Sequence, residues 1–148
     1  MEEVNIIKVS FFKQAPFTLR NIKKLKRFIS NILIQQGKKS TGEIRVIFCT
    51  DEELLQINID FLNHNYYTDI ITFPFTEPSD SNIEAELYIS LDRIRDNAEV
   101  ANISINKEIH RVIFHGILHL CGFGDKTKDE ILEMRKHEDL LLNIYFKN

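Results

Sequence analysis

The residues of this chain best suited to metal chemistry are two histidines in the segment INKEIHRVIFHGILHLCGFGD, residues 105–125. His115 and His119 are four positions apart, so on a helix their Cβ atoms lie about 5 to 6 Å apart and both rings can reach one ion. Glu108 and Arg111 fall on the same stripe of that helix, and nearly all other residues there are apolar. A helix that is apolar on most sides lies in a protein interior, so the sequence predicts a polar stripe beside the core.

A turn directly after the second histidine supplies a third candidate ligand. Gly122 and Gly124 let the chain leave the helix and fold back, because glycine tolerates positive φ at a helix end. The carboxylate of Asp125 can then approach the open side of an ion held by His115 and His119. Three protein ligands with a fourth position free for water are typical of catalytic zinc, which predicts one Zn²⁺ per chain. The alternative is that the two histidines are separately hydrogen-bonded residues of the core.

The hydrophobic pattern predicts the elements that position this site. Alternating branched and aromatic residues indicate four strands, whereas apolar residues spaced by three and four indicate helices. The predicted strands are Ile6 to Phe12, Glu43 to Thr50, Ile70 to Phe75 and Glu84 to Ser90. The predicted helices are one between Thr18 and Gly37, one from Thr50 to about Leu62, Leu91 to about Ala101, Ile105 to Cys121, and Lys128 to Tyr145. This order predicts one α+β domain over residues 1–148, with a four-stranded mixed sheet, about five helices and a zinc-hydrolase-like HxxxH helix.

Local signals mark where several helices begin and end. Thr18 is expected to cap the start of the first long helix and Gly37 its end. Capping boxes, in which a Thr side chain and a Glu three residues later satisfy each other's backbone N–H groups, are expected at Thr50 and at Thr127.

Composition limits the class of protein. The chain has 148 residues, of which 43% are hydrophobic and 28% charged, a balance that excludes disordered and low-complexity classes. No apolar run approaches the roughly 18 residues of a membrane span, and the N-terminus lacks the basic start and cleavage site of a signal peptide. We therefore expect a cytoplasmic protein without a membrane partner. Cys49 and Cys121 are expected to be small core residues, not a disulfide.

The positive charge is concentrated in the first third of the chain. Residues 1–48 contain ten Lys or Arg and three Glu, a net charge of +7, although the whole chain carries -3. This asymmetry is compatible with a nucleic-acid surface, for which the helical spacing of Arg20, Lys23, Lys24 and Arg27 makes these residues the candidates. The alternative is a solvated helix face.

The motifs around the two histidines resemble a known family. HGILHLCGFGD is similar to the signature of the YbeY family of bacterial metallo-endoribonucleases, whose usual form is H-G-x-L-H-L-x-G-[YF]-D-H with three zinc ligands. Asn58 and Phe61 fit that family's N-x-x-Y-R, and TDIITF at residues 68–73 fits its T-D-V-L-S-F. Glu86 stands where the family favours Asp. The resemblance covers about Asn58 to Asp125 and then a helical tail.

This resemblance implies a zinc-dependent endoribonuclease specific for single-stranded RNA, acting in 16S ribosomal RNA 3′-end maturation and in ribosome quality control. Its implied partners are single-stranded RNA and ribosomal RNA or the small ribosomal subunit. Two positions differ from the family pattern: Asp125 replaces the third histidine, and Leu62 replaces an arginine that could contact phosphate. Arg111 is a candidate catalytic substitute, with an ion pair to Glu108 as the alternative.

Two other functions fit parts of the pattern. A zinc protease also carries HxxxH followed by glycine and a third ligand, but it needs the Glu of H-E-x-x-H as general base, and Gly116 occupies that position. The second is a non-catalytic, metal-stabilised RNA-binding module, which would retain full RNA affinity after loss of the metal ligands.

The remaining histidines lack comparable partners. His64 lies in LNHNYYTD, where Asn65, Tyr66 and Tyr67 are expected either to line a cleft and stack on a base or to form a solvated loop. His110 lies off the polar stripe and His137 in a charged helix, so neither is a candidate site residue.

Overall fold

A four-stranded mixed sheet lies at the centre of the structure, a computed structural model that describes residues 6–39 and 42–147. The strands are β1 (Lys8–Lys13), β2 (Glu43–Cys49), β3 (Ile70–Pro74) and β4 (Ala85–Ser90). They are ordered β1-β2-β4-β3; β2 pairs in parallel with β1 and β4, and β3 pairs antiparallel with β4. The predicted α+β class and mixed sheet are confirmed. The predicted domain bounds, residues 1–148, include positions outside the described ranges and stay a prediction.

Five helices surround this sheet in the described part of the chain. They are α1 (Ile22–Gln35), α2 (Asp51–Leu62), α3 (Leu91–Ala101), α4 (Ile105–Leu120) and α5 (Lys128–Phe146). Apart from the start of α1, these bounds agree with the predicted ones to within one residue. None of the helices in residues 6–39 and 42–147 is long and apolar enough to cross a membrane.

The two faces of the sheet are buried by different helices. On one face Val46, Phe48 and Leu87 belong to the main core, together with residues of α1 and α4. On the other face Cys49 and Ile71 pack with Leu54 of α2 in a smaller apolar cluster. This follows from strand geometry, since successive side chains point to opposite faces.

Helix α4 is buried on most of its surface, as the sequence predicts. It packs against β3 and β4, α1, α3 and α5. Gly116 makes the close approach to the sheet possible: a Cβ atom there would lie 2.7 Å from the Ile70 side chain and 3.1 Å from that of Leu87. The half-buried His115 and His119 interrupt this apolar surface.

Most predicted helix ends are confirmed and one is wrong. Both capping boxes form, at Thr50 and at Thr127. Gly37 has φ +87° just past the C-terminus of α1, as a C-terminal glycine should. Thr18 does not cap α1, which begins at Ile22 with Asn21 at its N-cap and no side-chain cap bond. The prediction failed because Leu19 continues the apolar periodicity of the helix although it lies in the segment before it. Leu19 is nevertheless buried in the core (5% exposed).

The two cysteines differ in burial. Cys49 is fully buried, as predicted, and burial raises the pKa of its thiol to about 12. Cys121 packs against the core but stays partly exposed at the C-cap of α4, where burial raises its thiol pKa to about 11. Both thiols are free.

Candidate metal centre

Three side chains converge at the C-terminal end of α4. His115 and His119 project from its last two turns, with ring centroids 4.8 Å apart. The Oδ2 atom of Asp125 lies 3.0 Å from Nε2 of His119 and 3.3 Å from Nε2 of His115. Nitrogen or oxygen atoms of all three residues lie within 4.8 Å of one another, so the group could bind a metal ion. The structure thus brings together the three ligands that the sequence predicts.

The chain reversal after α4 places Asp125. Gly122 has φ +100°, and its N–H donates to the carbonyl of His119. The N–H of Phe123 donates to the carbonyl of Leu118, which completes a Schellman motif at the helix end. A residue with a Cβ atom would be strained at position 122, so the glycine predicted to allow the turn does so.

A buried carboxylate behind the histidines was missed by the sequence analysis. Glu138 of α5 is 2% exposed, and its Oε2 lies 2.6 Å from Nδ1 of His115. A carboxylate on Nδ1 fixes the ring orientation and tautomer and leaves Nε2 free to coordinate a metal. The available signal was the periodicity of α5, whose buried positions include Met134, Glu138 and Leu142. An acidic residue in that apolar row needs a buried partner.

Arg111 is occupied by two carboxylates. Its Nε donates to Oε1 of Glu108 at 2.8 Å, and Nη1 donates to Oε1 of Glu138 at 3.1 Å. Both carboxylates are 2% exposed, so the guanidinium compensates buried negative charge. Of the two roles considered for Arg111, this geometry favours the ion pair. Arg111 also helps to hold Glu138 and, through it, His115.

The electrostatics of the pair formed by His115 and Glu138 follow from this packing. Burial by itself disfavours both charged forms. The hydrogen bond to His115 and the charges of Arg111 and His115 outweigh burial and hold the pKa of Glu138 below its usual value. The hydrogen bond to Glu138 and the charges of Glu138, Asp125 and Asp69 likewise outweigh burial and raise the pKa of His115. Glu138 is therefore a carboxylate acceptor for the imidazole at neutral pH.

The three candidate ligands line an open cavity of about 600 Å³. Its wall includes Ile70 at the start of β3 and Asp69 directly before it, Leu62 from the end of α2, and Lys126 beside the chain reversal. Leu62 thus presents an apolar side chain to the cavity where the YbeY pattern has arginine. Among the described residues that line the cavity, Lys126 is the one Lys or Arg.

Asp69 is a second carboxylate that the sequence analysis did not single out. Its Oδ2 accepts a hydrogen bond from Nδ2 of Asn97 on α3 at 3.2 Å, and its carbonyl accepts one from the N–H of Ser90. Burial raises the pKa of Asp69, against the opposing charges of Arg111 and His115. The available signal was its place in the TDIITF motif.

The basic candidates lie away from this cavity. Arg20, Lys23, Lys24 and Arg27 are exposed, but none lines the cavity. The Nζ atom of Lys24 donates to the carbonyl of Tyr145 at 2.7 Å and lies 4.3 Å from the centroid of its ring. Tyr145 follows Glu138 by seven residues, about 10 Å along α5.

Comparison with known proteins identifies the family. The model of the family Endoribonuclease YbeY matches residues 11–145 of this chain. The chain belongs to this family. The YbeY assignment made from the motifs is therefore confirmed.

Relatives match over most of their length. A protein of Cytophaga hutchinsonii named Endoribonuclease YbeY is 43% identical over 137 residues, which are 92% of this chain and 94% of the relative. One from Parabacteroides distasonis with the same name is 47% identical over 82% of this chain and 84% of its own. A solution structure of a Thermotoga maritima protein covers 93% of this chain and 89% of its own with a TM-score of 0.65, at 22% identity. This last likeness supports the fold.

Proposed function

We propose that this protein is a zinc-dependent endoribonuclease that hydrolyses phosphodiester bonds of single-stranded RNA. The observation that carries the proposal is the convergence of two imidazole nitrogens and one carboxylate oxygen on the wall of an open cavity. Membership of the Endoribonuclease YbeY family, and relatives that bear that name, support the choice of RNA as the substrate.

The donor set fits zinc. Zinc in catalytic sites takes three protein ligands from histidine and carboxylate side chains at about 2.0 to 2.2 Å, and tetrahedral ligands at that distance lie roughly 3.3 Å from each other. The separations of 3.0 and 3.3 Å from Asp125 to the two histidines agree with this spacing. When bound, zinc would polarise a phosphodiester oxygen or activate water.

The protein's own residues prepare the site for that chemistry. Glu138 accepts the Nδ1 proton of His115 and so leaves Nε2, which lies 3.3 Å from Oδ2 of Asp125, available to coordinate an ion. Arg111, which Glu108 orients, donates to the Glu138 carboxylate and compensates its charge. Lys126, in the cavity wall, is placed to contact a phosphate of the RNA chain.

The proposed biological substrate is ribosomal RNA of the small subunit, in 16S 3′-end maturation and ribosome quality control in the cytoplasm. The support for this part is the family membership. The basic segment, residues 20–27, is proposed to make additional RNA contacts outside the cavity. Its Arg20, Lys23 and Arg27 are exposed and remain available to phosphates. Lys24 contributes less to this surface, since it is bonded to Tyr145.

The structure also bears on the zinc-protease alternative. A Cβ atom at position 116 would lie 2.7 Å from the Ile70 side chain and 3.1 Å from that of Leu87. A glutamate base there, which such proteases place after the first histidine, would require both side chains to move.

The test combines metal analysis with cleavage of matched single-stranded and duplex RNAs. The purified protein is expected to contain about one zinc per chain and to cleave the single strand in preference to the duplex. Cleavage should stop after chelation and resume when zinc is returned. His115→Ala should lose both zinc and cleavage while its circular dichroism stays native, and His137→Ala serves as the control. Cleavage that survives complete removal of metal would contradict zinc dependence. RNA affinity without any cleavage would favour the binding module.

A further inference from the structure

Two aromatic rings stack on each other in the wall of the cavity that the three candidate ligands line. The rings of His64 and Tyr66 have centroids 5.1 Å apart and an interplanar angle of 21°. The hydroxyl of Tyr66 also lies 2.9 Å from Nδ1 of His64. Both residues line the same cavity as the three candidate ligands, and Tyr66 is 56% exposed. An exposed ring is therefore held beside the candidate metal centre.

The loop that carries these rings is fastened to the neighbouring helices. The buried Asn58 of α2 donates from Nδ2 to the carbonyl of Tyr66 at 3.0 Å. The hydroxyl of Tyr67 donates to Glu52 of α2 at 2.6 Å, and the guanidinium of Arg93 lies 5.4 Å from the centroid of the Tyr67 ring. Tyr67 thus anchors the loop, while Tyr66 is left facing the cavity. A ring positioned in advance loses less conformational freedom when a ligand packs on it.

Among the residues that the structure describes, one face of the Tyr66 ring has no aromatic partner. Within the described residues its stacking contact is with His64, which covers a single face. The cavity wall is apolar at Leu62 and Ile70, and Lys126 is the only Lys or Arg among the lining residues that the structure describes. This part of the cavity is suited to a flat, uncharged ring next to a phosphate, which is the chemistry of a nucleobase in a polynucleotide chain.

We propose that Tyr66, backed by His64, is a stacking platform for one nucleobase of the RNA strand beside the metal centre. This inference rests on the proposed function, because it assumes that RNA enters this cavity. Stacking is tolerant of sequence, since every base has a π-face, but it needs an unpaired base. The platform therefore gives preference for single strands without preference for sequence.

Cleavage kinetics of the zinc-loaded protein test this role. Tyr66→Ala is expected to raise KM for a single-stranded RNA about tenfold with little change in kcat, and Tyr66→Phe to stay close to wild type, because stacking on one ring contributes about a tenfold change or more in affinity. Phe12→Ala is the matched control: Phe12 is 48% exposed on β1, at the opposite edge of the sheet from β3. Zinc content should be the same in all these variants.

A spectroscopic readout separates stacking from a general effect on folding. RNAs with 2-aminopurine at single positions should show quenching on mixing with wild type and Tyr66→Phe at one or two positions, measured by stopped flow before cleavage, and not with Tyr66→Ala. An abasic nucleotide at the quenched position should raise KM for wild type and leave it unchanged for Tyr66→Ala. Equal KM and equal quenching in Tyr66→Ala and wild type would overturn the platform and leave the nuclease intact. Absence of RNA cleavage by zinc-loaded wild type would instead overturn the proposed function.

Discussion

The two halves of helix α4 give the same residue type opposite surroundings. In the N-terminal half, His110 is 1% exposed and packs against the rings of Phe114, Tyr145 and Phe146. In the C-terminal half, His115 and His119 are half-buried and face carboxylates. Both halves belong to one continuous helix, so the side chains that face a histidine from other elements decide whether it is structural or can bind a metal.

The ring nitrogens of His110 show what burial without carboxylates does. Nδ1 lies 2.6 Å from the carbonyl of Asn106, so it donates its proton there, whereas Nε2 has no hydrogen-bond partner in the described part of the chain. Burial lowers the pKa of His110, whereas Glu138 and its neighbours raise that of His115. The two histidines therefore act oppositely on the pH dependence of folding.

The sign of each effect follows from the direction of its shift. The raised pKa of His115 stabilises the metal-free fold below the usual value of 6.5, and this contribution is lost as pH rises through the raised value. The lowered pKa of His110 means that the unfolded chain binds the proton more tightly. Protonation of His110 therefore favours the unfolded chain. With respect to this group the fold is most stable above pH 6.5 and loses stability as the pH falls towards the lowered pKa.

The largest effect is expected on metal content, which should differ between variants in the two halves of α4. His119→Ala should reduce zinc from about one equivalent to nearly none and abolish cleavage, because it removes one of three ligands. His110→Leu should keep both. Elemental analysis of the two proteins, purified side by side, provides the measurement. Equal zinc in wild type and His119→Ala would show that the ion is held elsewhere.

The carboxylate that faces the C-terminal half should be the next most sensitive position. Glu138→Gln keeps the shape of the side chain but loses its charge, so zinc affinity should fall by roughly 10- to 100-fold, as is typical for a partner that orients a metal ligand. Competition with a chromophoric chelator measures this. Glu133→Gln, on the exposed face of the same helix, is the control. An unchanged affinity would contradict the positioning role of Glu138.

Neutralising the basic segment should have a smaller effect, which tests whether RNA contacts extend beyond the cavity. Replacing Arg20, Lys23 and Arg27 together with Gln should weaken RNA affinity and lower the salt slope by up to about 2, at roughly 0.7 per phosphate contact with a single strand. Zinc content should not change. Binding titrations at several salt concentrations measure the slope, and an unchanged slope would make this segment a solvated face.

The smallest effect is expected at His110 itself. His110→Leu removes an unpaired buried nitrogen along with one hydrogen bond, so the free energy of unfolding at pH 7 should change by no more than about 1 kcal/mol. The loss of stability between pH 7 and pH 5 should become smaller, because one group with a lowered pKa is gone. Urea unfolding of chelated protein at both pH values tests this, with His137→Gln as control. A loss of stability between pH 7 and pH 5 equal to that of wild type would contradict the lowered pKa of His110.

The sequence by itself determined the parts of this protein that depend on neighbours along the chain. The spacing of His115 and His119, the glycine turn that returns Asp125 and the capping boxes all act within about ten residues, where helix geometry fixes what meets what. Alternation and periodicity likewise located every strand and helix to within a few residues, and the start of α1 was misplaced because burial of Leu19 does not require a helix.

Only the tertiary structure decided which partners face these residues from distant elements. Glu138 reaches His115 across 23 positions, and the same contact network occupies Arg111. The loop with Tyr66 lies in the cavity wall because side chains of α2 and α3 contact Tyr67 and because Asn58 donates a hydrogen bond to the carbonyl of Tyr66. Periodicity shows which face of a helix is buried, but not which side chain lies opposite, because that depends on how helices pack on the sheet and on each other.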